Sequence, residues 1–153
     1  MAIPFESLPR RATRAYFRLT EQAQKLEPLW ALAIRLYVAQ VFFASGLTKI
    51  AHWAITVALF ENEYQVPLLS PATAAFLGTA AELGLPVLLA LGVGTRVVAV
   101  ALFAFNIVAV ISYPDLSDAG LKDHMLWGAL LLATAIHGAG KLSLDHLAER
   151  RWH

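Results

Sequence analysis

Cysteine is missing from all 153 residues of the chain. Without a thiol there is no disulfide staple, no thiolate metal site, no iron–sulfur ligation and no thiol redox chemistry carried by the chain itself. Charge is scarce as well. Only 15% of residues are Asp, Glu, Lys or Arg, and they nearly cancel to a formal net charge of +1. That balance supplies no basic field for gripping a phosphate backbone, so no nucleic-acid partner is expected. A nucleophile triad, a phosphate-binding loop and a paired-carboxylate site are also wanting. The GVGTR stretch at 92–96 has two glycines, but its place between apolar runs makes them turn chemistry. Residues 1–25 lack a continuous apolar run with a small-residue cleavage site, so a retained N-terminus is expected. Neither a repeat nor a low-complexity tract stands out.

What is abundant is apolar surface. Hydrophobic residues make up 58% of the chain, and the mean hydropathy is +0.59. A soluble domain of this size rarely hides so much in one core, which makes lipid the expected solvent. Four apolar stretches, 29–47, 72–91, 97–113 and 124–140, approach the roughly 20 residues a helix needs to cross a hydrocarbon core. The last two are short and would be completed by interfacial residues or local thinning. The expected fold class is therefore all-α: an integral membrane bundle of four transmembrane helices with an N-terminal amphipathic helix. Gly78, Gly84, Ala99, Gly128 and Gly138 are small enough to let helices approach closely. Three regions follow: an amphipathic or interfacial segment at 1–28, the bundle at 29–140 and a polar tail at 141–153.

Basic residues give the direction. Arg10, Arg11, Arg14, Arg18, Lys25, Arg96, Lys141, Arg150 and Arg151 fall on one side, and only Lys49 and Lys122 on the other. Both termini are thus expected in the cytoplasm. Within residues 7–25, Leu8, Ala12, Ala15, Tyr16, Leu19 and Ala23 recur at helical spacing opposite the arginines. That pattern fits a helix lying on an anionic leaflet, and equally a solvated helix docked on the bundle. On the outer side, NEYQVPLLSP at 62–71 reads as an interfacial cap, with Trp53, Tyr64 and Tyr113 as an aromatic belt. Pro86 is expected to kink the second span.

Ionisable groups inside the apolar runs are the candidates for function, because at that depth they are costly unless paired or wet. Arg35 and Lys49 share a narrow stripe of the first span with Phe42 and Gly46. Glu82 lies near the middle of the second span, Asn106 near the middle of the third, and Thr134 and His137 in the inner half of the fourth. The simplest pairing is Glu82 with Arg35, with Lys49, or with both. Such a pair either fixes helix register as an internal salt bridge or lines a cavity for a small ligand, a quinone head group or a proton. Histidine raises metal and haem chemistry. His124 and His137 are thirteen residues apart, hence roughly 20 Å along one helix, and cannot share an ion. His52 and His124 are the candidates for a small outer metal site, set against the plainer reading of surface histidines; His146 and His153 read as solvated.

Taken in order, Arg35, FFASGLTK at 42–49, AAELGLPVLLALGVGTR at 80–96 and DHMLWGALLLATAIHGAGKLSLD at 123–145 resemble the DoxX family of small four-helix membrane proteins. The resemblance implies recurrent polar positions at Arg35, Gly46, Lys49, Glu82, Thr95 and Arg96 and a place in the bacterial inner membrane. It also implies association with redox complexes, since the family takes its name from a subunit of a thiosulfate:quinone oxidoreductase. On that footing the expected role is a quinone-linked or redox-associated membrane subunit, with Arg35, Lys49, Glu82, Asn106 and His137 around a head-group pocket. The alternative is a non-catalytic assembly or anchor subunit that meets a partner protein or a second copy. A small-solute or metal-ion conduit comes third. No catalytic residue is assigned.

Overall fold

A computed structural model of the chain describes residues 10–152, and the side chains of residues 13–151. Among the described residues every regular element is helical: α1 Arg10–Ala51, α2 Trp53–Asn62, α3 Pro71–Leu91, α4 Thr95–Ser112, α5 Asp118–His137 and α6 Leu144–Trp152. Of these, α1, α3 and α4 are long and apolar enough to cross a membrane. The chain is an all-helical, multi-pass membrane protein. Helix α5 has the length but opens with Asp118, Lys122, Asp123 and His124, which dilute its apolar character.

The division expected at residue 28 is not seen. α1 is one helix of 42 residues that runs through Pro28. A proline there removes one backbone donor, but the surrounding Gln, Lys, Leu, Glu and Ala are strong helix formers, and neither a glycine nor a turn cluster interrupts them. Of the segment expected at 1–28, residues 10–28 are the first part of α1, and residues 1–9 lie outside the described residues. Within the polar tail, Leu144–Trp152 forms α6. α2 is the other unforeseen element. At ten residues, roughly 15 Å, it is too short to register as a span.

Local chemistry sets the boundaries. Ser70 caps α3 by accepting from the Thr73 amide, with Pro71 at the first helical position where its missing donor is harmless. Gly92 ends α3 in the left-handed region, φ 72°. Ser117 caps α5 through the Gly120 amide.

α1 packs along α3 and α4 along α5, each pair antiparallel, and α3 joins the two pairs through α4. Val38, Phe42, Leu89, Ala99, Leu102 and Leu131 meet in the shared core. Phe42 stands edge-on to Phe105 and Trp127. Gly46 sets the depth of the α1/α3 contact, because a Cβ there would lie 2.8 Å from Leu83 Cγ and 3.1 Å from Glu82 Cβ. A second, smaller cluster of Phe60, Ala74 and Ala75 fixes α2 across the N-terminal end of α3.

Candidate functional site

The bare surface of Gly46 brings the last turn of α1 against the middle of α3, and three polar side chains meet there. The Lys49 ammonium lies 2.7 Å from both Glu82 carboxylate oxygens and donates to Ser45 Oγ at 2.9 Å. Ser45 in turn donates to Glu82 Oε1 at 3.1 Å. Glu82 is buried, whereas the Lys49 side chain keeps 19% of its surface exposed. Both charges are thus paired, and the cation retains an open side.

That open side faces a cavity of about 530 Å³, within the range that holds small ligands. Its walls are aromatic and aliphatic, with Phe42, Phe60, Phe105 and Trp127 prominent, and Ser45, Lys49, Glu82 and His124 supply polar atoms. The segment after α2 covers it through Tyr64, Val66 and Leu69. Tyr64 stacks between Phe60 and Tyr113, with ring centroids 4.7 and 5.0 Å away. Burial pushes the Tyr64 hydroxyl pKa up, and Tyr113, Glu82 and Glu63 add to the shift. Tyr64 therefore stays neutral and a donor. Tyr113 reaches out to Glu63 at 3.4 Å.

A second polar pair stands at the far wall, where His124 lines the cavity and Asn106 lies behind it. Asn106 Nδ2 donates to the His124 carbonyl at 2.9 Å, which fixes which end of the amide is which. Asn106 Oδ1 therefore faces His124 Nδ1 at 2.7 Å, and as an acceptor it requires the proton on Nδ1. In the neutral ring Nε2 is left as the acceptor. The imidazole also packs edge-to-face on Trp127, centroids 4.8 Å apart.

Arg35 does not join this group, contrary to the expectation that it might share Glu82. It is fully buried near the C-terminal end of α3, where Nη1 donates to the Leu89 and Ala90 carbonyls at 3.2 and 3.0 Å and Nη2 to that of Leu142. The reason is helix polarity: the C-terminal carbonyls of α3 lack intrahelical partners, and a guanidinium fork satisfies several at once. Arg96 does the same for α5, donating to the Ala135 and Ile136 carbonyls at 3.1 and 2.7 Å. Asp145, which the sequence reading passed over, takes the opposite role. Its carboxylate accepts from the Gly94 and Thr95 amides, both at 2.8 Å, at the start of α4. Burial raises its pKa, but the hydrogen bonds from Thr95 and Gly94 and the Arg35 charge outweigh burial and hold it below the usual value.

His137 also falls outside the site. It is exposed, and its Nδ1 bonds to the Ala133 carbonyl of its own helix, because at the last residue of α5 the side chain stands on the open side of the helix end. His52 is exposed at the break between α1 and α2. Among the described residues no group of three or more His, Asp or Glu side chains stands together as a metal site. Ser45 and Tyr64 were missed as site residues. The spacing of Ser45 four residues before Lys49 was the available signal; Tyr64 had been placed only in the outer aromatic belt.

Neither curated proteins nor solved structures provide a match to this chain. A sequence model of the DoxX family matches residues 30–114, which run from the packed part of α1 to the end of α4 and include Arg35, Lys49, Glu82 and Asn106. The match covers more than half of the chain, and the protein belongs to the DoxX family.

Proposed function

We propose that the protein is a quinone-linked, redox-associated subunit of the bacterial inner membrane in which α1, α3, α4 and α5 all cross the bilayer. Helix α5 is counted because it lies antiparallel to α4 at matching depth. Asn106 meets His124 at the outer level, and Arg96 meets Ile136 at the inner. Its 20 residues extend roughly 30 Å, the thickness of the hydrocarbon core. The basic residues beside the inner helix ends put both termini in the cytoplasm.

The observation that carries the quinone reading is the Lys49–Glu82–Ser45 cluster facing an aromatic cavity of about 530 Å³. A quinone head is planar, apolar on its faces and an acceptor at each carbonyl. Aromatic walls suit the faces, and the Lys49 ammonium and the Tyr64 hydroxyl are donors for the oxygens. Glu82 and His124 are groups able to hold a proton there. The chain has no thiol, so on this reading electrons pass through a partner subunit. Equilibrium binding of a benzoquinone with a short side chain tests it, with wild type set against Glu82→Gln and Lys49→Ala. Both variants are expected to bind more weakly by about tenfold or more. Unchanged binding in both removes the proposal.

The alternative role in assembly has one observation of its own. Leu19 and Leu26 stand exposed on the first part of α1, seven residues apart and hence on one face, an apolar surface fit for a partner. Co-purification of a stoichiometric partner, lost in Leu19→Glu with Leu26→Glu while quinone binding persists, would assign α1 to docking.

A further inference from the structure

On the bilayer side of the cavity lies a second space. A groove of about 370 Å³ runs between α4 and α5, walled by Phe103, Ile107 and Ile111 on one helix and by Met125, Ala129 and Leu132 on the other. Ile107, Ile111, Met125 and Leu132 are exposed, so the groove opens sideways from the bundle. Its polar lining consists of Asn106 and His124. His124 lines the cavity too, so one imidazole borders both spaces.

The floor is kept low by Gly128. A Cβ there would stand 3.3 Å from Asn106 Nδ2 and 3.4 Å from Phe103, so a larger residue would press on the amide and fill the groove. From Phe103 to Ile111 the groove extends roughly 12 Å along α4. It is long, apolar and open to lipid, and it shares His124 with a compartment that has polar atoms. That is the shape of a seat for a hydrocarbon chain whose head lies beyond His124.

We infer that the α4/α5 groove holds the apolar tail of the ligand whose head occupies the cavity, with His124 at the junction. This rests on the quinone reading and narrows it to lipid-soluble quinones that reach the cavity from within the bilayer. The α4 wall lies within residues 30–114 matched by the family model and the α5 wall beyond them, so the groove joins the matched part of the chain to the part that follows it.

The test compares two benzoquinones with the same head, one without a side chain and one with an isoprenoid or decyl tail, on the full-length protein in nanodiscs. Wild type is expected to hold the tailed compound at least tenfold more tightly, since each buried methylene adds to affinity. Ala129→Phe fills the groove from an exposed position and is expected to remove that preference while leaving the tailless compound unchanged. Ile107→Trp repeats the test from the opposite wall. Equal affinity of wild type for both compounds, or an equal loss of both in the two filled variants, overturns the groove and leaves the cavity reading standing. Failure of wild type to bind either compound removes the cavity reading and the groove with it.

Discussion

At the end of the bundle where α3 stops, the inner end in the proposed orientation, Arg35, Arg96 and Asp145 each close on backbone groups at a helix terminus. In the outer half, Lys49, Ser45 and Glu82 close on one another beside an open cavity. Both sets pair polar atoms, yet they are not equivalent. A side chain committed to helix-end carbonyls or amides cannot leave without stranding them, whereas a side-chain pair can exchange one partner for a ligand atom. Charge at the inner end serves the fold, and charge in the outer half remains available for chemistry.

The largest effect expected from this contrast is the loss of Arg35. Arg35→Met takes the guanidinium from the Ala90 and Leu142 carbonyls and leaves that of Leu89 with only the Gly92 amide, and it is expected to destabilise the protein by about 3–5 kcal/mol. Removing both outer charges, in Lys49→Met combined with Glu82→Leu, strands no backbone group. Replacement of a buried pair by apolar residues is often neutral, so a change within about 1 kcal/mol is expected. Unfolding of the two proteins in the same detergent decides the matter. If the outer double variant falls as far as Arg35→Met, the outer pair is as structural as the inner set.

Next in size is the functional counterpart. The outer double variant is expected to lose quinone binding by more than about tenfold while remaining folded. A protein that keeps its affinity after losing both charges would leave the contrast without a functional side.

Much of this contrast could be read from the sequence in outline and not in detail. The stripe shared by Gly46 and Lys49 and the central place of Glu82 are properties of single helices, so helical spacing exposes them. Which cation reaches Glu82 depends on how far α1 slides against α3, and the Leu83 contact at Gly46 decides that. Arg35 could not be assigned because its partners are carbonyls, which carry no residue-type signal. Asp145 was hidden for a related reason: it caps α4 from 50 residues away, and no local pattern records such a partner. α2 is apolar but too short to announce itself as a span, although its Phe60 and the following Tyr64 help to close the cavity.

Asp145 supplies a pH test of the inner end. Its pKa lies below the usual value in the folded protein, so the unfolded chain binds more protons between the two values and stability rises with pH there. The contribution is complete above the unfolded pKa of about 4 and is lost as pH falls through the lower folded value. Asp145→Asn is expected to cost about 1 kcal/mol at neutral pH, as for a lost helix cap. On acidification the wild-type and variant stabilities should converge. A gap that stays constant down to the lowest accessible pH would mean that the carboxylate charge adds nothing to the cap.

The smallest effect lies in the roof of the outer cavity. Leu68 has φ 66°, in the left-handed region, and is fully exposed. Pro67 precedes it, and a proline followed by a residue of positive φ is the pattern of a type II turn, whose third position favours glycine. A leucine there costs roughly 1 kcal/mol of backbone strain. Leu68→Gly relieves that strain but frees the unfolded chain, which offsets about 0.5–1 kcal/mol. The net expectation is a gain of a few tenths of a kcal/mol, with quinone affinity unchanged, because Leu68 does not line the cavity although its neighbours Val66 and Leu69 do. Weaker binding at unchanged stability would show that the strained turn holds the roof in place, and the outer half would then owe its open cavity to backbone geometry as well as to side-chain charge.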